Sequence, residues 1–176
     1  TLEGSRWSVR IRMPNGLRPN LDSSALTPSH SYALTWLTGD AALFRWDAKH
    51  SDLVRGVPDG HLPEALAWYD DQGATVEPPW EPSQFLEASG DVVFRSDWGP
   101  GASYVLLRAE RGCARTAGGV FEQPDAGSIV VAKGAEPLVL DSGYGGWSQR
   151  EKTNKAGAHN LVLIDGKGPP IATALG

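Results

Sequence analysis

Phe121-Glu-Gln-Pro-Asp-Ala-Gly-Ser128 leads directly into the apolar run Ile129-Val-Val-Ala132, and a second apolar run, Leu138-Val-Leu140, follows shortly after it. Short runs rich in β-branched residues and bounded by Gly and Pro are typical of strands joined by tight turns. The segment between the two runs, Lys133-Gly-Ala-Glu-Pro137, is therefore predicted to be the turn of a hairpin.

Polar residues stand next to these strands. A third apolar run, Leu161-Val-Leu-Ile164, is predicted to be a strand, and Asp165-Gly-Lys-Gly168 after it is predicted to be a hairpin turn. If the strands pair in sequence order, Gln123, Asp141 and His159 all lie at strand ends or starts. A sheet can hold polar side chains together at such a place, so these three residues are candidates for one pocket.

Upstream of this region, three further segments have the composition of strands: Gln84-Phe-Leu-Glu87, Val92-Val-Phe-Arg95 and Tyr104-Val-Leu-Leu-Arg108. Short strands at regular spacing favour an antiparallel β-sandwich over a parallel sheet with crossover helices. Before them, Glu77-Pro-Pro-Trp-Glu-Pro82 is too rich in proline for a helix interior and favours an extended connector.

The N-terminal part of the chain has apolar residues at helical spacing. Tyr32-Ala-Leu-Thr-Trp-Leu37 and Ala41-Ala-Leu-Phe-Arg-Trp46 are predicted to form a helical hairpin, and Pro63-Glu-Ala-Leu-Ala-Trp-Tyr69 a short helix. The sequence thus predicts an α+β chain: a helical segment at 1–76, a Pro-rich linker at 77–83 and a β-sandwich portion at 84–176. Periodicity alone leaves open whether the helices form a small cap or part of a larger helical domain.

Three motifs together resemble the heparinase II/III-like family of polysaccharide lyases. They are Gln123-Pro-Asp-Ala-Gly-Ser128, the segment ending in Leu138-Val-Leu-Asp-Ser-Gly-Tyr144, and His159-Asn-Leu-Val-Leu-Ile-Asp-Gly-Lys-Gly168. Such enzymes join a helical (α/α) toroid to a large antiparallel β-sandwich. The resemblance implies that this chain corresponds to the end of the toroid and the start of the sandwich, and that the full-length enzyme acts in the periplasm or is secreted.

The resemblance also implies a chemistry and a metal. The parent enzyme is expected to cleave an acidic, uronic-acid-containing polysaccharide by β-elimination, and Gln123, Asp141 and His159 correspond to the ligands of a bound zinc. These positions follow one another at intervals of 18 residues, as in the family. A catalytic histidine of the family falls at Phe121, which cannot exchange a proton. We therefore expect this chain alone to be inactive.

The loop between Asp141 and His159 carries candidate substrate-binding residues. Tyr144 and Trp147 could stack on sugar faces, and Arg150 could bind a sulfate or carboxylate together with two nearby lysines, Lys152 and Lys155. Each residue also has a purely structural interpretation. The rings could pack under the loop, and the cations could belong to an ordinary solvated segment.

Structural interpretations apply to the carboxylates and the histidine as well. Asp125 is predicted to cap the turn before the strand that starts near Ser128 rather than to take part in catalysis. Asp141-Ser-Gly143 could be a tight turn, and His159-Asn160 a turn that enters a strand. These readings leave two alternatives to a lyase: a non-catalytic carbohydrate-binding or structural sandwich, which Phe121 favours, and a glycoside hydrolase, which no motif selects.

Composition excludes several classes of protein. The 176 residues are 40% hydrophobic and 21% charged, as in a globular protein, and the formal net charge is −5. No apolar run is long enough to span a membrane. A single cysteine, Cys113, allows neither an internal disulfide nor a cysteine-rich zinc site. Basic and aromatic residues are not interleaved as a nucleic-acid groove requires, so no nucleic-acid partner is expected.

Overall fold

Five strands form one antiparallel sheet in which each strand pairs with its neighbour in sequence. The computed structural model describes residues 2–21, 77–110, 123–143 and 146–169. The strands are β1 (Gln84–Leu86), β2 (Asp91–Arg95), β3 (Ser103–Leu107), β4 (Ile129–Lys133) and β5 (Glu136–Val139). This order confirms the predicted antiparallel pairing of successive strands.

Helices flank the sheet in sequence. Helix α1 (Leu2–Arg10) precedes the strands, and a 3-10 turn (Trp147–Gln149), helix α2 (Arg150–Thr153) and a second 3-10 turn (Ala156–Ala158) follow them. Helices and an antiparallel sheet together confirm the predicted α+β class. None of the helices in the described ranges is long and apolar enough to cross a membrane.

The hairpin of β4 and β5 closes through two residues. Lys133 pairs with Glu136, and Gly134 between them has a φ of +54°, which glycine adopts at little cost. A bulge between Val131 and Ala132 shifts the register further along the hairpin. The hairpin predicted around residues 133–137 is thus confirmed.

One face of the sheet buries the main hydrophobic core against the N-terminal segment. The sheet contributes six buried side chains to this core: Leu86, Val93, Tyr104, Leu106, Val130 and Ala132. Ile11, Met13 and Leu21 pack on them from the N-terminal segment. The buried hydroxyl of Tyr104 donates a hydrogen bond of 2.6 Å to the carbonyl of Ile11, so the contact is polar as well as apolar.

Arg95 joins the end of α1 to the sheet. Its guanidinium lies 4.1 Å from the ring centre of Trp98 and 5.2 Å from that of Tyr104, and it donates hydrogen bonds to the carbonyls of Arg10 and Arg12. Arg10 is the last residue of α1, and the last carbonyls of a helix have no acceptor role within it, so a cation at the Arg10 carbonyl supplies a donor and complements the helix dipole. Burial lowers the pKa of Arg95 to about 10, so the group stays charged at neutral pH.

The opposite face of the sheet is also apolar, but it is partly exposed. Strand alternation places Phe85, Phe94 and Ile129 on this face, with 58%, 54% and 37% of their surface exposed. The register adds five half-buried side chains between them: Val92, Val105, Leu107, Val131 and Val139. We call these eight residues the outer face.

One predicted strand is wrong. Residues 161–164 form no strand in the structure, and Val162 and Ile164 are 86% and 75% exposed. The run has strand-forming residues, but none of the five strands pairs with it, and pairing rather than propensity creates a strand. The predicted hairpin turn after it is confirmed: Ile164 and Lys167 exchange two hydrogen bonds of 2.9 Å around Asp165 and Gly166, which both have positive φ.

Part of the predicted N-terminal organisation lies outside the described residues, namely the helices at 32–37, 41–46 and 63–69. Within the predicted linker, residues 77–83 contain neither helix nor strand. Trp80 packs there against Val9 and Trp98, and its ring lies 4.2 Å from the guanidinium carbon of Arg10. The division of the chain into domains at this linker stays a prediction.

Candidate functional site

The β4–β5 hairpin brings two carboxylates to one end of the sheet. Because the strands are antiparallel, the start of β4 and the end of β5 lie side by side. Asp125 precedes the first residue of β4 by four positions, and Asp141 follows the last residue of β5 by two. Both aspartates are buried, with 0% and 8% of their surface exposed.

Asp125 begins a tight turn that leads into β4. The backbone N–H of Ser128 donates a hydrogen bond of 2.9 Å to the carbonyl of Asp125, and Gly127 within the turn has a φ of +98°. The N–H of Gly127 donates to the carbonyl of Arg108, which fixes the turn to the end of β3. The Asp125 carboxylate forms a buried ion pair with Arg108, whose Nε lies 3.1 Å from Oδ1, and Arg108 also pairs with Glu110.

Asp141 is fixed by the turn that follows it. Its Oδ1 accepts a hydrogen bond of 3.0 Å from the N–H of Gly143, which has a φ of +52°. Burial opposes ionisation of Asp141, but the hydrogen bonds from His159, Gly143 and Asn160 outweigh it and hold the pKa of the carboxyl below its ordinary value. Asp141 is therefore an anion at neutral pH.

His159 uses both ring nitrogens. Its Nδ1 lies 2.7 Å from Oδ1 of Asp141, and its Nε2 lies 2.8 Å from the carbonyl oxygen of Thr153 in α2. A carbonyl can only accept, so Nε2 carries a proton. Burial alone would lower the pKa of His159, but the hydrogen bond and charge of Asp141 and the charge of Asp125 outweigh it, and the pKa is raised.

Asp125, Asp141 and His159 form one buried cluster. One ligand atom from each lies within 4.8 Å of the other two. Sequence reasoning singled out Asp141 and His159 for one pocket but gave Asp125 a turn-capping role. The signal for Asp125 was its position two residues after Gln123, in the turn where β4 begins. Gln123 itself is fully buried, and its role as a ligand stays a prediction.

The cluster fits a divalent cation on two grounds. Two carboxylates and one imidazole are ligands that zinc accepts. The Oδ2 atom of Asp141 is buried and has no hydrogen-bond partner among the described residues, so this oxygen has lone pairs available for a cation. With Nε2 of His159 donating to Thr153, Nδ1 would be the coordinating atom, and a backbone carbonyl on the other nitrogen is the usual arrangement for a metal-bound histidine.

The structure describes only some of the other predicted site residues. Tyr144 and Phe121 lie outside the described residues, and Trp147 begins the 3-10 turn before α2. Arg150 is the first residue of α2 and is half-buried, whereas Lys152 and Lys155 are exposed. The carbonyl that receives the His159 Nε2–H bond belongs to this same helix, so the basic segment is attached directly to the cluster.

Solved structures share this fold. The chain is similar to a heparinase III gene product (TM-score 0.58, 21% identity), to the heparan sulfate lyase HepC from Pedobacter heparinus (0.56, 19%) and to another heparinase III (0.57, 17%). The matches cover 92%, 90% and 94% of this chain but only 23%, 23% and 26% of the solved chains. No protein-family model and no curated protein sequence matches it. The chain thus has the fold of about a quarter of a heparinase III, as its resemblance to the heparinase II/III-like family implies.

Proposed function

We propose that this chain is part of a polysaccharide lyase that cleaves an acidic, uronic-acid-containing polysaccharide by β-elimination. The observation that carries the proposal is the structural likeness to heparinase III and heparan sulfate lyase over at least nine tenths of the chain. The sequence motifs support it independently, because they occur in the order in which the family has them. Because the chain spans about a quarter of those enzymes, the activity belongs to a longer protein, which we expect in the periplasm or outside the cell.

The buried cluster has a supporting role in this proposal. His159 is buried, and both of its ring nitrogens form hydrogen bonds within the protein. This geometry suits a structural role rather than proton exchange with a substrate. A zinc ion held by Asp125, Asp141 and His159, with Gln123 as the further predicted ligand, would neutralise the buried carboxylates. It would also cross-link the two ends of the hairpin to the segment that carries His159.

The basic residues near the cluster are the proposed contacts for the polysaccharide. Arg150 and Lys152 lie in α2, Lys155 follows that helix by two residues, and both lysines are exposed. Sulfate and carboxylate groups are the ligands that such side chains bind best. Stacking of Tyr144 and Trp147 on sugar rings remains part of the proposal from the sequence.

The test is a lyase assay on the longer protein that contains this sequence. β-Elimination leaves an unsaturated uronate, which absorbs ultraviolet light, so heparan sulfate, heparin and alginate can be compared with neutral dextran as a control. We expect absorbing products from at least one acidic polymer and none from dextran. Binding of acidic polymers without products, and gain of products in a Phe121→His variant, would indicate a degenerate lyase. No binding and no products would contradict the proposal.

A second candidate is a non-catalytic carbohydrate-binding or structural sandwich. Phe121 favours this candidate, because it occupies the position of a catalytic histidine of the family. This candidate predicts binding to glycans that persists in the presence of a chelator and is lost in a Trp147→Ala variant. A glycan array probed with the unmodified protein and with the Trp147→Ala variant measures the binding. The absence of unsaturated products from the bound acidic polymers separates this candidate from the lyase.

A further inference from the structure

Strand β5 leaves the sheet earlier than β4 does. The last residue of β5, Val139, pairs with Val131, so β5 offers no strand partner to Ile129, which lies two residues earlier in β4. On its other side Ile129 pairs with Leu107 of β3. Two residues after Val139, beyond the last pair of the two strands, the chain reaches Asp141 of the buried cluster.

The side chain of Asn160 takes the place of the missing strand. Its Nδ2 donates a hydrogen bond to the carbonyl of Ile129 over 2.6 Å, and its Oδ1 accepts one from the N–H of Ile129 over 2.9 Å. An amide side chain presents the same donor and acceptor pair as a peptide group, so Asn160 satisfies both backbone groups of one residue. The loop that carries His159 is thereby attached to the start of β4.

Asn160 is also the immediate neighbour of His159, which contacts Asp141 and Thr153. Its own backbone N–H lies close enough to the Asp141 carboxylate to help lower the pKa of that group. One residue thus binds β4 through its side chain and faces Asp141 through its backbone. Because the two residues are adjacent in the chain, a displacement of Asn160 would also move the imidazole of His159 relative to the Asp141 carboxylate and the Thr153 carbonyl.

We infer that Asn160 is a positioning residue that fixes His159 against Asp141 by bonding to the backbone of Ile129 in the place of a strand. The inference deepens the proposed cation site, and it depends on that proposal only for its zinc readout. It assigns no contact with substrate to Asn160.

The test uses two variants of Asn160 and one matched control. Asn160→Ala removes both hydrogen bonds, and Asn160→Leu removes them while keeping the side chain's approximate volume. The control is Ser83→Ala, because Ser83 Oγ also bonds to both backbone groups of one strand residue, Arg95, at 3.0 and 3.2 Å. Arg95 lies on β2, which β3 separates from β4 in the sheet.

The first readout is the proton NMR signal of the hydrogen-bonded Nδ1–H of His159, recorded in the presence of a chelator. We expect this downfield signal in the unmodified chain and in Ser83→Ala, and its loss or broadening in both Asn160 variants. The second readout is zinc affinity by calorimetry, for which we expect a decrease of about 10- to 100-fold in the Asn160 variants, as for other residues that orient metal ligands. Ser83→Ala is expected to bind zinc as the unmodified chain does.

The outcomes separate the two proposals. If the Asn160 variants keep the Nδ1–H signal, or if Ser83→Ala loses it to the same extent, Asn160 has no specific positioning role and the inference is overturned. If the unmodified chain binds no zinc, the proposed cation site fails, but the NMR comparison still decides the role of Asn160.

Discussion

His159 and Asp141 are 18 positions apart in sequence, yet Nδ1 of the imidazole lies 2.7 Å from Oδ1 of the carboxylate, and both side chains are buried. The pair raises the pKa of His159 and lowers that of Asp141. A contact of this kind makes the stability of the metal-free chain depend on pH, because each group binds protons differently in the folded and unfolded states.

The first prediction concerns this pH dependence. The raised pKa of His159 gives stability that is complete below the unfolded value of 6.5 and is lost as pH rises through the folded value. The lowered pKa of Asp141 gives stability that is complete above 3.8 and is lost as pH falls through the folded value. We therefore expect the contribution of the pair to be largest between these limits.

The measurement is the melting temperature from acid to mildly alkaline pH, with chelator present, for the unmodified chain and His159→Gln. The difference between the two should be largest in the mildly acidic range and shrink towards alkaline pH. Titration of the remaining groups affects both proteins alike. A difference that grows with increasing pH would contradict the assigned ion pair.

The second prediction concerns Gly143. A methyl group at this position would meet the Asn20 side chain, with Cβ only 2.8 Å from the Cβ of Asn20, and the φ of +52° disfavours any residue with a Cβ. We expect Gly143→Ala to lower the free energy of unfolding by about 2 kcal/mol or more. Urea unfolding measures this loss.

Two other glycines separate the effect of the positive φ from the effect of the contact with Asn20. Gly146 has a φ of +91° with open space around it, so Gly146→Ala should show the backbone strain alone, a loss of about 1–2 kcal/mol. Gly157 has open space and no positive φ, so Gly157→Ala should change stability little. Equal losses for Gly143→Ala and Gly146→Ala would show that Asn20 does not lie against Gly143.

The third prediction concerns the contact between the sheet and the N-terminal segment. Tyr104→Phe removes the hydroxyl that donates to the carbonyl of Ile11 and leaves that carbonyl without this donor. We expect a loss of about 1–2 kcal/mol in the free energy of unfolding. Ser103→Ala, a change at an exposed neighbour on the same strand, is the control and should change stability by less than about 0.5 kcal/mol. Similar losses in both variants would argue against the buried hydrogen bond.

The fourth prediction separates the two proposed ligand sets for zinc. The structure brings Asp125 to the cluster, whereas the sequence resemblance points to Gln123. Substitution of a residue that only hydrogen-bonds to a metal ligand typically weakens metal affinity about 10- to 100-fold. Loss of a direct ligand should weaken zinc affinity by at least as much. We expect this decrease in calorimetric affinity for Asp125→Asn and Asp141→Asn. Glu136→Gln, at an exposed acid in β5, should leave the affinity unchanged.

Gln123→Ala decides between the sets. A decrease as large as that of Asp125→Asn means that both residues coordinate the ion. A decrease for Gln123→Ala without one for Asp125→Asn would return the site to the set predicted from sequence and assign Asp125 to the turn and to its ion pair with Arg108.

Local sequence patterns predicted most of the sheet, because each pair of neighbouring strands there is joined closely in sequence or marked by Gly and Pro. The same reasoning failed for residues 161–164, since whether an apolar run becomes a strand depends on a partner that local composition does not specify. The contact between Asp141 and His159 was predicted from strand ends, but only Asp141 follows a strand, whereas His159 follows the 3-10 turn Ala156–Ala158. The position of Asp125 in the cluster depends on contacts of its turn with Arg108, namely the hydrogen bond from Gly127 and the ion pair of Asp125 itself. Such tertiary contacts are not specified by local sequence.

The outer face has a practical consequence. A sheet that is apolar on both sides is suited to the middle of a layered structure, yet here Phe85 and Phe94 remain more than half exposed to water. Apolar surface of this kind favours adsorption and self-association. Preparations of the chain by itself should therefore scatter more light as concentration or sulfate salt increases, and mild detergent should reverse the effect.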